Sequence, residues 1–259
     1  MRQHKRAKSK KIGRPPSKLP NAVHDKNRQA DPTKLPEPDG PSPEECFRWA
    51  WRMCAIVLWE YAQISEQPEQ RPRSVDDLHF VIKLLHRKAR GIDVSVKKLE
   101  EKVAAEIGDI FLGFTVRRRG KDTLILLNPL PDPAYRRFGF VQESFHVLLD
   151  HPDFRTINLK DAIGDYLIRA RVRKFKNAFG STLAEFAAEI AAMEALFPFA
   201  ERLRYARRLQ ALRQQAGSRA KVKALIDKIS ARYGVPQPWI KLYLQKGVMA
   251  RMKKLHDET

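Results

Sequence analysis

Apolar residues recur every three or four positions along most of this 259-residue chain, and the period changes in one stretch, FLGFTVRRRGKDTLILLNP, residues 111–129. Two runs rich in β-branched and aromatic residues, Phe111 to Arg117 and Thr123 to Asn128, flank a polar Arg-Gly-Lys-Asp turn, and the pattern predicts a β-hairpin. Elsewhere the spacing is helical. The expected fold class is therefore mainly α: a helical body carrying one β-hairpin.

Punctuation places the helices. Order is expected to begin at Ser42-Pro43-Glu44-Glu45, a capping box with proline at the first helical position. The helix that follows, about 43–65, sets Phe47, Trp51, Cys54, Leu58 and Tyr61 on one stripe, which Trp49 and Trp59 broaden. A second helix starts at Ser74 with Asp76 and Asp77 in its first turn, aligns Leu78, Ile82 and Leu85, and stops at Gly91. A third follows Ser95, carries Leu99, Val103 and Ile107 at fourfold spacing, and ends near Gly108. Beyond the hairpin, helices are expected at about 139–150, 159–178, 182–197, 199–216, 219–233 and 238–247. Gly180, Pro198, Gly217 and Gly234 separate them, and Ser181 and Ser218 are candidate caps.

Four segments follow from this reading: a disordered basic arm and linker (1–41), a helical domain with the hairpin (42–132), a helical domain with Arg-rich helices (133–217), and a terminal unit with its tail (218–259). The first is rich in Pro, Gly and charge and poor in large apolar groups, a composition that cannot form a core.

Fifty Lys and Arg against thirty Asp and Glu leave a formal net charge of +20. That excess points to a polyanionic partner. No apolar run approaches the roughly 20 residues that span a bilayer, and no apolar stretch follows the basic start, so neither a membrane nor a secretory route is expected. Cys46 and Cys54 would lie about 12 Å apart along one helix at 1.5 Å per residue, too far to bridge. A cytoplasmic chain with reduced thiols is the expectation.

The stretch IDKISARYGVPQPWIKLYLQ, residues 226–245, has Ser230 as a small residue facing a partner helix and Gly234 at a turn. Ile229, Tyr233, Val235, Ile240 and Tyr243 or Leu244 are its apolar set. Glycine permits the positive φ of a tight interhelical turn, and a small residue lets two backbones approach. Over about 25 residues this resembles the helix-turn-helix superfamily of DNA-binding proteins. Pro236 and Pro238 stand where that pattern usually has a Ser or Thr cap. The resemblance implies a second helix presenting Gln237, Trp239, Lys241 and Gln245 to a major groove, with Arg232 beside them. Trp239 could instead pack on another domain or stack on a base. A terminal helical hairpin, with Gly234 a plain C-cap, is the structural alternative.

Other basic groups add to this surface. Lys11-Ile12-Gly13-Arg14-Pro15 through Lys18 resembles an AT-hook, which implies Arg14 entering a narrow A·T minor groove with Lys11 and Lys18 flanking it. A generic electrostatic tail is the alternative. Helices at 75–91 and 95–107 with the hairpin suit either a winged helix or a hairpin capping a helical core. In the first case Lys97, Lys98 and Lys102 lie on the second helix, and the wing tip of Arg117, Arg118, Arg119 and Lys121 follows a phosphate backbone. Arg169, Arg171, Arg173, Lys174 and Lys176 close one later helix. Arg202, Arg204, Arg207, Arg208 and Arg213 stud another, with Arg204 and Arg208 on one side.

Chemistry is sparse by comparison. No cysteine pair has zinc spacing, and there is no phosphate loop or nucleophile elbow. Glu143, His146, Asp150, His151 and Asp153 form the only dense ionisable cluster with histidine; Glu143 and His146, three apart, make one half of a carboxylate-bridged metal pattern without its other half, and His151-Pro152-Asp153 reads as a helix end. His79 and His86 read as partly buried, satisfied histidines. No cofactor, metal or catalytic residue is assigned. The expected function is non-enzymatic nucleic-acid binding, duplex DNA foremost, as in a regulator or a replication, partition or mobile-element factor. A homodimer would read two half-sites. The alternatives are an RNA-binding ribonucleoprotein subunit and, after it, a nucleic-acid-processing enzyme.

Overall fold

The computed structural model describes residues 43–107, 112–116, 122–149, 180–215 and 217–257. The elements are α1 (Pro43–Ile64), α2 (Val75–Arg90), β1 (Val94–Lys98), α3 (Glu101–Ile107), β2 (Gly113–Val116), β3 (Thr123–Leu127), α4 (Pro133–Leu148), α5 (Gly180–Leu196), α6 (Phe199–Arg213), α7 (Arg219–Tyr233), α8 (Gln237–Tyr243) and α9 (Lys246–Asp257). The fold is mainly α with a small sheet, as the periodicity predicts. Among the described residues no helix is long and apolar enough to cross a membrane.

At the centre lies α5, whose sequence GSTLAEFAAEIAAMEAL is apolar on nearly every side. Ala187, Ala188, Ala191, Ala192, Met193 and Ala195 are fully buried. A helix apolar all round must be enclosed, and alanine lets its neighbours come close. The most extensive helix pairing joins it to α1, and α4 packs against it as well. From α1 the stripe expected from sequence supplies Trp51, Cys54 and Tyr61 to the core. Trp59, expected to broaden that stripe, lies on the opposite side of the helix and is 64% exposed.

Local signals set several boundaries. Ser74 accepts a hydrogen bond at Oγ from the Asp77 amide (3.1 Å), and Gly91 ends α2 at φ 67°. Ser218, by contrast, makes no side-chain cap, and α5 starts at Gly180, so Ser181 lies within its first turn rather than before it. The helix expected at 159–178 and the residues of the 1–41 arm lie outside the described residues.

The third helix is corrected. Residues 94–98 form a strand, β1, and only 101–107 are helical. Leu99, Val103 and Ile107 fit a helical stripe, but β-branched Val94 and Val96 alternate with Ser95 and Lys97, a period-two signal that the strand follows. β1 pairs in parallel with β3, while β2 pairs antiparallel with β3 as the hairpin, giving the order β1-β3-β2. The hairpin seen from sequence therefore carries a third strand. It packs on α4, where Gly139 lets the helix approach Leu112 so closely that a Cβ would lie 2.6 Å from the Leu112 Cβ.

The expected boundaries at 132/133 and 217/218 both pass through one core. A single apolar cluster takes residues from α1, α2, α4, α5, α6, α7, α8 and α9. The terminal helix expected at 238–247 is two helices broken at Leu244–Gln245, and α9, running to Asp257, was not foreseen. The break lets α9 lie against α1 and α6, with the His256 ring between Trp51 (5.6 Å) and Phe199 (5.1 Å).

Candidate nucleic-acid interface

Helix α7 runs over Arg219–Tyr233, the span read from sequence, and ends at Gly234 in the left-handed region (φ 63°, ψ 33°). The Gly234 amide donates to the Ser230 carbonyl at 2.8 Å, and the Ser230 hydroxyl donates across the turn to the Val235 carbonyl at 2.7 Å. The small residue thus both permits the close approach and ties it. Gly234 has a second constraint: a Cβ there would sit 2.5 Å from the Arg137 Cδ and Nε. Arg137 in turn donates to the Arg73 carbonyl, and Arg73 to the Ala195 carbonyl, so the turn is fastened to the end of α5. Burial holds both guanidinium pKa values below their ordinary range.

Pro236 occupies the cap position of α8 without a side-chain hydrogen bond. Gln237 supplies a tether instead, its Nε2 donating to Asp227 Oδ1 of α7 at 2.7 Å. Ile229, Tyr233, Val235, Ile240, Tyr243 and Leu244, the apolar set read from sequence, are all buried.

Of the four residues expected to face outward, two do. Lys241 and Gln245 are exposed; Gln237 is half-buried in its bond to Asp227. Trp239 does not face outward: its ring packs on Phe138 (4.8 Å) and Tyr135 (5.6 Å) of α4, the packing alternative read from sequence. The cause is helical phase, since position 239 lies four residues before Tyr243 on the inward side. Both Trp239 and Tyr243 hydrogen-bond the half-buried Glu189 of α5, the Tyr243 hydroxyl at 2.7 Å. Burial pushes the Glu189 carboxyl pKa up against the opposing pull of those two donors, and burial followed by the Glu189 charge pushes the Tyr243 phenol up. The residues that face solvent are Pro238, Lys241 and Leu242 on α8 and Gln245 in the bend that follows it. Sequence reasoning missed Leu242, which is 43% exposed; counting the phase from Ile240 and Tyr243 would have found it.

Charge surrounds this row. Residues 199–257 hold fifteen Lys and Arg against three Asp and Glu. Fourteen of the fifteen are exposed, Arg204, Arg208, Arg232 and Lys241 among them. The three acids are engaged locally: Glu201 with Arg204 and the Tyr233 hydroxyl, Asp227 with Lys223 and Gln237, Asp257 with Lys253. Glu201 beside Arg204 raises that guanidinium's pKa, and Arg232 lies 5.7 Å over the Tyr233 ring.

The exception is Arg202. Read from sequence as one of five arginines studding a basic helix, it is fully buried, paired with Glu194 and set within 5.5–5.9 Å of the Trp51, Phe199 and Tyr243 rings. Glu194 also accepts from the Phe199 amide at 3.0 Å, capping α6 in place of Pro198. This pair is part of the core, not of the surface.

Of the other basic residues singled out from sequence, Lys97 and Lys98 lie on strand β1, not on the helix expected, and Lys102 lies on α3; Lys11, Arg14 and Lys18, Arg117, Arg118, Arg119 and Lys121, and Arg169, Arg171, Arg173, Lys174 and Lys176 lie outside the described residues. So do Asp150, His151 and Asp153. Glu143 accepts from the Thr115 hydroxyl at 3.0 Å, and His146 lies 3.4 Å from Glu185. Among the described residues no three His, Cys, Asp or Glu converge on a metal position. His79 bonds the Ser144 hydroxyl at 3.0 Å and is pushed down to about 4 by burial; His86 bonds the Ile92 carbonyl. Both are the satisfied histidines expected.

No protein-family model matches the chain, and no curated protein matches it. Among solved structures it is similar to a Mycobacterium tuberculosis transcriptional regulator, with 16% identity and a TM-score of 0.34 over 77% of this chain and 50% of that one. The chain spans half the length of that structure, and a superposition this loose assigns neither fold nor activity.

Proposed function

We propose that this chain binds duplex DNA without catalysing a reaction, using α7 and α8 as a helix-turn-helix. The exposed row of α8 would enter the major groove, and the basic surfaces of α6, α7 and α9 would follow the phosphates. One observation carries the reading: the Gly234 turn at positive φ is followed by a solvent-facing row that includes Lys241 and Gln245, on the segment where fourteen cations are exposed. Self-repulsion at that density is relieved by a polyanion. The arm around Arg14 and the arginines of 117–119 would add backbone contacts, and a homodimer would place two such helices on two half-sites. A regulator, or an accessory factor in replication, partition or mobile-element movement, fits this chemistry.

RNA binding is the alternative, resting on Arg-rich helices along an RNA backbone and on Trp239 as an exposed stacking platform. With that ring against Phe138 and Tyr135, the reading loses that support. The test is a salt titration of the full chain against labelled duplex DNA, single-stranded DNA and a structured RNA of similar length. Duplex DNA should bind tightest and keep a sequence preference as salt rises. Tighter binding to RNA would overturn the proposal, and divalent-dependent cleavage would make the protein an enzyme.

A further inference from the structure

Resting on the DNA-binding reading, we infer that the exposed row of α8 recognises A·T base pairs, Leu242 touching a thymine methyl group and Gln245 bonding adenine. From Pro238 to Leu242 the row extends about 6 Å along α8 at 1.5 Å per residue, about two base-pair steps at 3.4 Å, and Gln245 stands exposed in the bend just past the helix end. Its chemistry is narrow. A Gln amide matches the paired acceptor and donor of adenine in the major groove, and an apolar side chain matches the methyl group that only thymine carries there. The row has no Arg for guanine and no carboxylate for cytosine. Lys241, a flexible point charge, serves a phosphate as readily as a base edge.

Leu242 is the residue that needs explaining. Single exposed leucines are ordinary on protein surfaces, but this one is the only exposed large apolar side chain among the described residues of α6 to α9. It stands in the middle of the row, flanked by Lys241 and Gln245, where a methyl-bearing groove would cover it and bulk water otherwise does not.

The experiment uses the full chain. Duplexes enriched from a randomised pool are measured by fluorescence anisotropy, each beside a version in which uracil replaces thymine and so removes one methyl group. The expected result is A·T pairs at the centre of the enriched site and a loss of about fourfold on the thymine-to-uracil change, the effect of one buried methyl group. Leu242→Ala should bind more weakly and show no further loss with uracil, at an unchanged melting temperature. A G·C centre, wild-type indifference to the change, or an equal loss in wild type and variant would each overturn the inference. A Leu242→Ala effect confined to oligomeric mass would overturn it too, marking the side chain as a contact between copies. Failure of the wild type to prefer duplex DNA would remove the DNA-binding reading itself; duplex preference with uracil tolerated removes only the methyl contact.

Discussion

Helices α5 and α8 meet at Glu189, and they are built on opposite plans. α5 is enclosed on nearly every side, so each of its carboxylates has a partner brought to it: Glu185 has Gln142 and His146, Glu189 has Tyr243 and Trp239, and Glu194 has Arg202 and the Phe199 amide. α8 is enclosed on one side only. Its inward residues fix its orientation against α4 and α5, while 238, 241, 242 and, just past its end, 245 face solvent. A polar group inside is there to hold the fold; one on the α8 row is free to meet something else.

The difference is broken most severely at Arg202. Glu194→Ala should leave a fully buried guanidinium without its carboxylate and lower stability by about 3–5 kcal/mol in denaturant titration. A loss under 1 kcal/mol would mean that the pair is hydrated. Next comes Gly234→Val, which demands positive φ from a β-branched residue and displaces Arg137; a loss of about 2–3 kcal/mol is expected, together with loss of duplex binding. Tyr243→Phe should cost about 1–2 kcal/mol, because it removes one donor from Glu189.

Glu189→Gln sharpens the comparison through pH. Burial raises the folded-state pKa of Glu189 above its unfolded value, so the folded chain holds the proton more tightly. The stability this gives is fully present below the ordinary Glu range and is lost as pH rises through the raised value. Wild-type melting temperature should therefore fall relative to Glu189→Gln on going from acidic to neutral pH, and parallel curves would refute the assignment. Smallest in stability are Lys241→Ala and Gln245→Ala, each within about 0.5 kcal/mol. Their effect should appear in sequence-specific duplex affinity; unchanged specificity would rule out α8 as the reader.

Much of this was legible in the chain itself, and the reason is local. Ser74, Gly91, Gly234 and the apolar set around the turn act within a few residues, and their caps and φ values appear where the residue types require them. What could not be read depends on distant partners. β1 is a strand because β3 lies beside it, although Leu99, Val103 and Ile107 offer a helical period. Trp239 and Arg202 look like surface groups in a basic segment; only the placement of Phe138, Tyr135 and Glu194 makes them internal. The α8–α9 break serves the docking of His256 on Trp51 and Phe199, residues remote in sequence.

The single core shared by α1, α2 and α4 through α9 has a practical meaning for anyone dissecting the molecule. Residues 218–257 cut away from the rest would expose Trp239, Tyr243 and Ile240 to water and would not hold α8 in shape. Lys241 and Gln245, exposed at its outward side, depend on none of that packing.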